Sequence, residues 1–199
     1  MNEKFFDLKK EKQDRMINAA LKIFATNGYK HASTDDIVKE AGISKGLLFH
    51  YFTSKIGLYE FLYDYCVRFL SLELKTSVSP SETDFFRIMK SEEQGKIAVM
   101  RSYPYMQMFI DRSQTEDEEE AIDATLDLRS ELQTMYDGFL NQVNAQNFKA
   151  DVDPSVVYTC LQYTLRGIMG EQLQSAAFNP DVYFSEANKI IDMLKIMSY

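Results

Sequence analysis

The chain has 199 residues, 45% apolar and 26% charged, with only 8 Gly and 4 Pro, a mix that excludes disorder and disfavours a fold of many short strands. Its formal net charge of −8 argues against nucleic acid as a partner of the bulk surface, but residues 1–60 hold ten Lys or Arg against eight Asp or Glu. Screening over ~8 Å at physiological salt makes the local patch count more than the distant acidic body, so any DNA contact belongs to the first sixty residues.

In chain order, Ile17, Ala20, Leu21 and Phe24 recur at i, i+3, i+4 and i+7, the apolar stripe of a helix over about 8–27. Asn27-Gly28 is a left-handed stop. Ser33-Thr34 followed by Asp35-Asp36 predicts an N-cap with carboxylates in the first turn, where the helix dipole favours them. The short helix that follows carries Ile37, Val38 and Ala41 and ends at Gly42. Ser44 caps a third helix over 45–52. A fourth starts at Ser54-Lys55, with Leu58, Phe61, Leu62, Tyr65, Phe69 and Leu72 as its stripe, and runs to about Thr76.

Beyond Pro80 the pattern stays helical. Expected are a helix over Ser81–Glu93, one or two through 95–112 interrupted at Tyr103-Pro104, and a longer one over 117–146. Asp153-Pro154 and Asn179-Pro180 open the last two, since proline fits the first helical turn but not its interior. The acidic run Glu116–Glu120 reads as a solvated helix start rather than a cation site. The fold class is all-α, with about nine helices.

The most specific signal is the pair of short helices joined at Ala41-Gly42-Ile43-Ser44, a helix-turn-helix arrangement whose second helix presents its N-terminal residues to base edges. Leu48 and Phe52 face inward with Ile37, Ala41 and Ile43. Lys45, Gly46, Phe49 and His50 share another face, flanked by Leu47 and Tyr51. Gly46 allows close backbone approach, and apolar atoms of Leu47 or Phe49 suit a thymine methyl. Tyr51, Lys55 and the hydroxyls of Thr34 and Ser44 suit phosphate oxygens.

From Ile17 to Leu58 the sequence INAALKIFATNGYKHASTDDIVKEAGISKGLLFHYFTSKIGL resembles the DNA-binding domain of the TetR family of bacterial transcriptional regulators. The matching pieces are AALKIFATNGY, STDDIVKEAGISKG, the aromatic run FHYF and the SK that opens the fourth helix. The resemblance implies a three-helix head over 1–54 and a helical ligand-binding and dimerisation domain over 55–199. By position it also implies DNA contacts at Thr34, Ser44, Lys45, Gly46, Leu47, Phe49, His50, Tyr51 and Lys55. Two positions depart from the family pattern. Phe49 stands where a Tyr is usual, and Ile56-Gly57 replaces a common acidic residue after Lys55.

In the body, Tyr103, Tyr105, Met106 and Phe109, with Met135 and Phe139 downstream, are the expected lining of an apolar pocket for a small-molecule effector of unspecified identity. Core packing is the competing reading for each of them taken singly. Glu131 or Glu171 would serve a cationic ligand only if buried. Residues 154–176 and 181–197 carry broad apolar stripes, with Gly167 and Gly170 allowing close helix approach, and are the expected homodimer interface.

Catalysis has little support. The only histidines, His31 and His50, lie in the head, and neither Cys66 nor Cys160 sits in a recognisable motif. No Gly-rich phosphate loop or metal-ligand spacing occurs. No cofactor and no metal are expected. No stretch approaches the ~18 apolar residues of a membrane span, and the N-terminal residues lack the apolar core of a signal peptide. Two distant thiols suit the reducing cytoplasm. The expected function is a dimeric repressor that binds a palindromic double-stranded DNA operator and is released by a small molecule. The alternative is a helical ligand-binding or scaffolding protein whose head binds another protein.

Overall fold

The computed structural model describes residues 3–174 and 178–199 of the chain, and every regular element among them is helical. After a short 3-10 helix, Glu3–Asp7, come α1 (Lys10–His31), α2 (Thr34–Ala41), α3 (Lys45–Phe52), α4 (Lys55–Ser77), α5 (Phe85–Met100), α6 (Met106–Ser113), α7 (Glu119–Asn141), α8 (Pro154–Gln174) and α9 (Pro180–Ser198). They divide into two compact units. The first combines the chain up to Phe69 with Tyr103–Glu131, and the second combines Leu70–Ser102 with Leu132–Tyr199.

In the first unit α1 is the central element, with α2 and α6 packed on it. Ile17, Ala20, Leu21 and Phe24 are buried as the stripe predicts, and Met16 is buried with them. The stop at Asn27-Gly28 is present as a break: Gly28 has φ 69 and ψ 174, and one more turn follows it. Phe24, Tyr29, Tyr59, Tyr63 and Phe109 form an aromatic cluster with ring centroids 5.1 to 6.3 Å apart, mostly edge to face. A second cluster gathers Phe52 and Phe61 around Phe5, whose ring lies 5.0 Å from Phe52 and 5.3 Å from Phe61. Phe5 is fully buried.

The acidic run is more than a solvated helix start. Glu116 accepts a hydrogen bond from the Tyr29 backbone N–H at 2.8 Å, and Glu120 accepts one from the Tyr29 hydroxyl at 2.7 Å. Glu118 pairs with Lys30 at 2.6 Å. The positive φ at Gly28 ends the helical ladder, so the Tyr29 N–H has no intrahelical acceptor and finds a carboxylate instead.

In the second unit α9 packs on α5 and α8. The helix expected over Ser81–Glu93 begins later, at Phe85, because Asp84 caps it by accepting from the Arg87 N–H at 2.9 Å. It then runs unbroken to Met100. Gly95 does not interrupt it but permits close approach, since a Cβ there would stand 3.0 Å from Leu74 Cδ2 on α4 and 3.2 Å from the Glu73 carbonyl oxygen. The helix expected over 117–146 is shorter at both ends, Glu119–Asn141. Past Asn141 the backbone turns away to bond outside the helix, the Asn144 N–H donating to the Thr83 carbonyl at 2.9 Å. The two proline starts hold: Asp153 accepts from the Ser155 N–H at 2.8 Å, and Asn179 from the Asp181 N–H at 2.9 Å. Residues 175 and 176, the end of the expected dimerisation stretch 154–176, lie outside the described residues.

Candidate nucleic-acid interface

Three capping events build the head. Ser33 Oγ accepts from the Asp35 N–H at 3.1 Å and starts α2. Gly42, at φ 62 and ψ 43, ends it in the left-handed conformation that an L side chain resists, and the Ile43 N–H returns to the Val38 carbonyl at 3.0 Å. Ser44 Oγ then accepts from the Leu47 N–H at 3.2 Å and starts α3. The turn is therefore held by backbone and cap bonds, which leaves the outward side chains of α3 unconstrained by it.

Ile37, Ala41, Leu48 and Phe52 are buried, and Ile43 is half-buried, so the inward set matches its sequence assignment. Ser44, Lys45, Gly46 and His50 are exposed, while Leu47 and Phe49 are half-buried. Thr34 is half-buried in the first turn of α2. A Cβ on Gly46 would meet nothing within 4 Å, so packing inside the chain does not require glycine there. Tyr51 is drawn inward, with its ring 5.7 Å from Phe5 and 5.0 Å from His50. Phe5 carries a packing role that sequence reasoning missed; the Phe5-Phe6 pair in an otherwise polar terminus was its one signal.

The two lysines differ in their surroundings. Lys45 Nζ sits 2.9 and 3.1 Å from the two carboxylate oxygens of Asp35, an exposed pair that an incoming phosphate can displace at small cost. Lys55 Nζ lies 4.5 Å above the Tyr29 ring and donates to the Lys30 carbonyl at 3.3 Å. Burial lowers its affinity for the proton below the ordinary lysine value, opposed by the negative charges of Glu120, Glu116 and Glu118. The departure at Ile56-Gly57 has a local reason. A Cβ at position 57 would press into the Phe52 carbonyl oxygen, and the Gly57 N–H donates to Ser54 Oγ at 3.0 Å. The tight link between α3 and α4, through Thr53 at φ 67, therefore needs a residue without a side chain at 57.

The residues expected to line a pocket fall into two sets. In the first unit Tyr103, Met106 and Phe109 are core residues and Tyr105 is half-buried. Tyr103 donates to Asp14 at 2.6 Å, shares a 2.6 Å hydrogen bond with the Tyr65 hydroxyl and accepts from Lys10 at 2.8 Å. Burial, reinforced by the bond to Asp14, holds its phenol far above the ordinary tyrosine range. In the second unit Phe139 is buried and Met135 half-buried. A cavity of about 250 Å³ in that unit is lined by other residues: Phe85, Leu140, Val143, Ala145, Pro154, Ser155 and Tyr158. Leu140 and Val143 lie on the apolar stripe visible in the sequence, but the lining contributed by α5 and α8 becomes adjacent only on folding. Glu131 and Glu171 are exposed. Among the described residues no cluster of three or more His, Cys, Asp or Glu could hold a metal, and no helix is long and apolar enough to cross a membrane.

Comparison with known proteins matches the head. Residues 16–62 fit the family described as bacterial regulatory proteins, tetR family. Over 49 residues the chain is 49% identical to the uncharacterized HTH-type transcriptional regulator YuxN of Bacillus subtilis, covering 25% of this chain and 17% of that protein. The chain thus spans about a sixth of the length of that curated relative. Among solved structures, a TetR family transcriptional regulator from Chloroflexus aurantiacus shares the fold over 99% of this chain and 97% of its own, with a TM-score of 0.67 at 21% identity. The transcriptional regulator FadR of Bacillus subtilis, solved in complex with stearoyl-CoA, does so over 90% and 96%, with a TM-score of 0.58 at 14% identity. Residues 16–62 thus match the DNA-binding domain of the tetR family, and the all-α fold that carries them is shared with solved TetR regulators.

Proposed function

We propose that the protein is a DNA-binding transcriptional regulator that acts as a homodimer on a palindromic double-stranded operator and is released by a small molecule, which makes it a repressor rather than an enzyme. The observation that carries this reading is the outward face of α3. Lys45, Gly46 and His50 stand exposed on an eight-residue helix whose opposite face is locked into the core, the arrangement that places a recognition helix in a major groove. The contacts assigned are base edges for Gly46, Leu47, Phe49 and His50, and phosphates for Thr34, Ser44, Lys45, Tyr51 and Lys55.

Dimerisation through α8 and α9 is supported by apolar side chains that a single chain leaves in water. Val156, Tyr163, Ile196 and Met197 are each more than 60% exposed, and a Cβ at Gly167 or Gly170 would meet nothing within 4 Å. Such a patch is unusual on a monomer. Selection of bound duplexes from a random DNA pool tests the whole reading. An inverted repeat with half-sites about 34–36 Å apart, or a multiple of that, is expected. No enrichment would overturn it and favour a head that binds another protein.

A further inference from the structure

The second unit contains a group that nothing above uses. Glu92, on α5, is 1% exposed, and neither of its carboxylate oxygens has a hydrogen-bond partner among the described residues. Its neighbours are differently placed. Glu93 accepts from Lys96 at 2.7 Å and from the Tyr183 hydroxyl at 2.8 Å, and Lys96 Nζ lies 5.7 Å from the centre of the Tyr136 ring. The Lys96 charge is therefore answered by Glu93. Glu92 is left as one carboxyl in excess, buried without a hydrogen bond and with its charge only partly offset by Lys96, a costly arrangement that needs a reason.

Glu92 also has a direction. It follows Phe85 by seven residues on α5, so the two share a face, about 10 Å apart along the axis. Phe85 lines the 250 Å³ cavity, as does Tyr158 of α8, whose phenol feels the charges of Glu92 and Lys96. On α7, Tyr136 beside Lys96 and Leu140 in the cavity wall are four residues apart and share a face. One side of α5, one of α7 and the first turns of α8 thus run from an apolar chamber to an unanswered carboxyl. The chamber is larger than the ~150 Å³ that accommodates benzene and smaller than the ~300 Å³ at which drug-sized sites begin.

We infer that this end of the second unit is a binding site for a small apolar cation of the alkylammonium class, with the hydrocarbon in the chamber lined by Phe85, Leu140, Val143 and Tyr158 and the ammonium paired with Glu92. The inference deepens the effector reading above, on which it rests, by naming the ligand's chemistry. Binding supplies Glu92 with the charge-assisted hydrogen bond it lacks.

The test uses the full chain with n-hexylammonium, 1-hexanol and hexanoate as probes, each read near neutral pH by calorimetric titration and by the thermal midpoint. Hexylammonium is expected to bind more tightly than hexanol, and hexanoate not at all. Glu92→Gln is expected to weaken hexylammonium roughly 10- to 100-fold while leaving hexanol in place. Val143→Phe, which fills the chamber, is expected to lose both. Equal binding of hexylammonium and hexanol to the natural chain, or an unchanged response to hexylammonium in either variant, overturns the inference. Release of the selected duplex by hexylammonium is read separately. Glu92-dependent binding without release refutes the effector reading and leaves the site standing. Release that is equal in the natural chain and in Glu92→Gln refutes the site and leaves the effector reading standing.

Discussion

Replacing Glu92 by Gln should make the protein more stable, and only above acidic pH. Burial, only partly offset by Lys96 and reinforced by Glu93, raises the Glu92 carboxyl from its ordinary 4.5 to about 7. Between those values the folded chain holds a proton that the unfolded chain has released, so stability falls as pH rises through the interval and is flat above it. At 1.36 kcal/mol per pH unit the gap corresponds to about 3 kcal/mol lost by neutral pH and above. Burial sets most of it, and the charged groups that act on it are Lys96 and Glu93 on the same helix. An amide of the same shape has no charge to bury. The variant should match the natural chain below pH 4.5 and exceed it by up to about 3 kcal/mol above neutrality, or roughly 6–12 °C in the thermal midpoint for a chain of this size. Thermal unfolding of both proteins at a series of pH values measures the difference directly. A difference that does not change with pH, or a variant less stable at alkaline pH, would refute the argument that Glu92 carries an unanswered charge.

Phe5→Ala removes a ring that touches Tyr51, Phe52 and Phe61; a loss of about 3–5 kcal/mol in chemical denaturation is expected, and a loss below ~1 kcal/mol would mean that the terminal segment does not pack there. Lys45→Ala should weaken binding to the selected duplex and reduce the slope of log K against log salt by about 0.9, the share of one phosphate. Asp35→Asn, which frees Lys45 from its partner carboxylate, should strengthen binding instead; fluorescence anisotropy of a labelled duplex over a salt series reads both. Gly57→Ala forces a Cβ against the Phe52 carbonyl and should cost about 1–3 kcal/mol, visible as a lowered midpoint in urea.

Much of the head was legible in the residues. α2 and α3 begin and end where their caps predict because the signals are local: Ser33, Gly42 and Ser44 act on backbone groups within a few residues of themselves. The division of α3 into a buried and an outward face followed from the 3.6-residue period. Tyr51 is the exception. Its position flanks the outward face of α3, yet its ring packs against Phe5, forty-six residues earlier, a contact no local pattern shows. The body was harder because, apart from Tyr103-Pro104, its helices lack sharp punctuation between Pro80 and Asp153. α5 starts at Phe85, capped by Asp84, rather than at Ser81, and Gly95 within it serves close contact with α4.

The sequence by itself determined the class of fold, the helix-turn-helix and the proline-marked starts of the last two helices, because capping, helical period and turn chemistry are decided among neighbours along the chain. Only the tertiary structure decided that Tyr103 and Phe109 belong to an aromatic core, that Glu116 and Glu120 hold Tyr29, and that Glu92 is buried beside an already satisfied ion pair. Burial and charge balance are sums over groups brought together from distant positions. A carboxylate that reads as one more solvated acid in the sequence becomes a costly feature once the folded chain buries it without a hydrogen-bond partner.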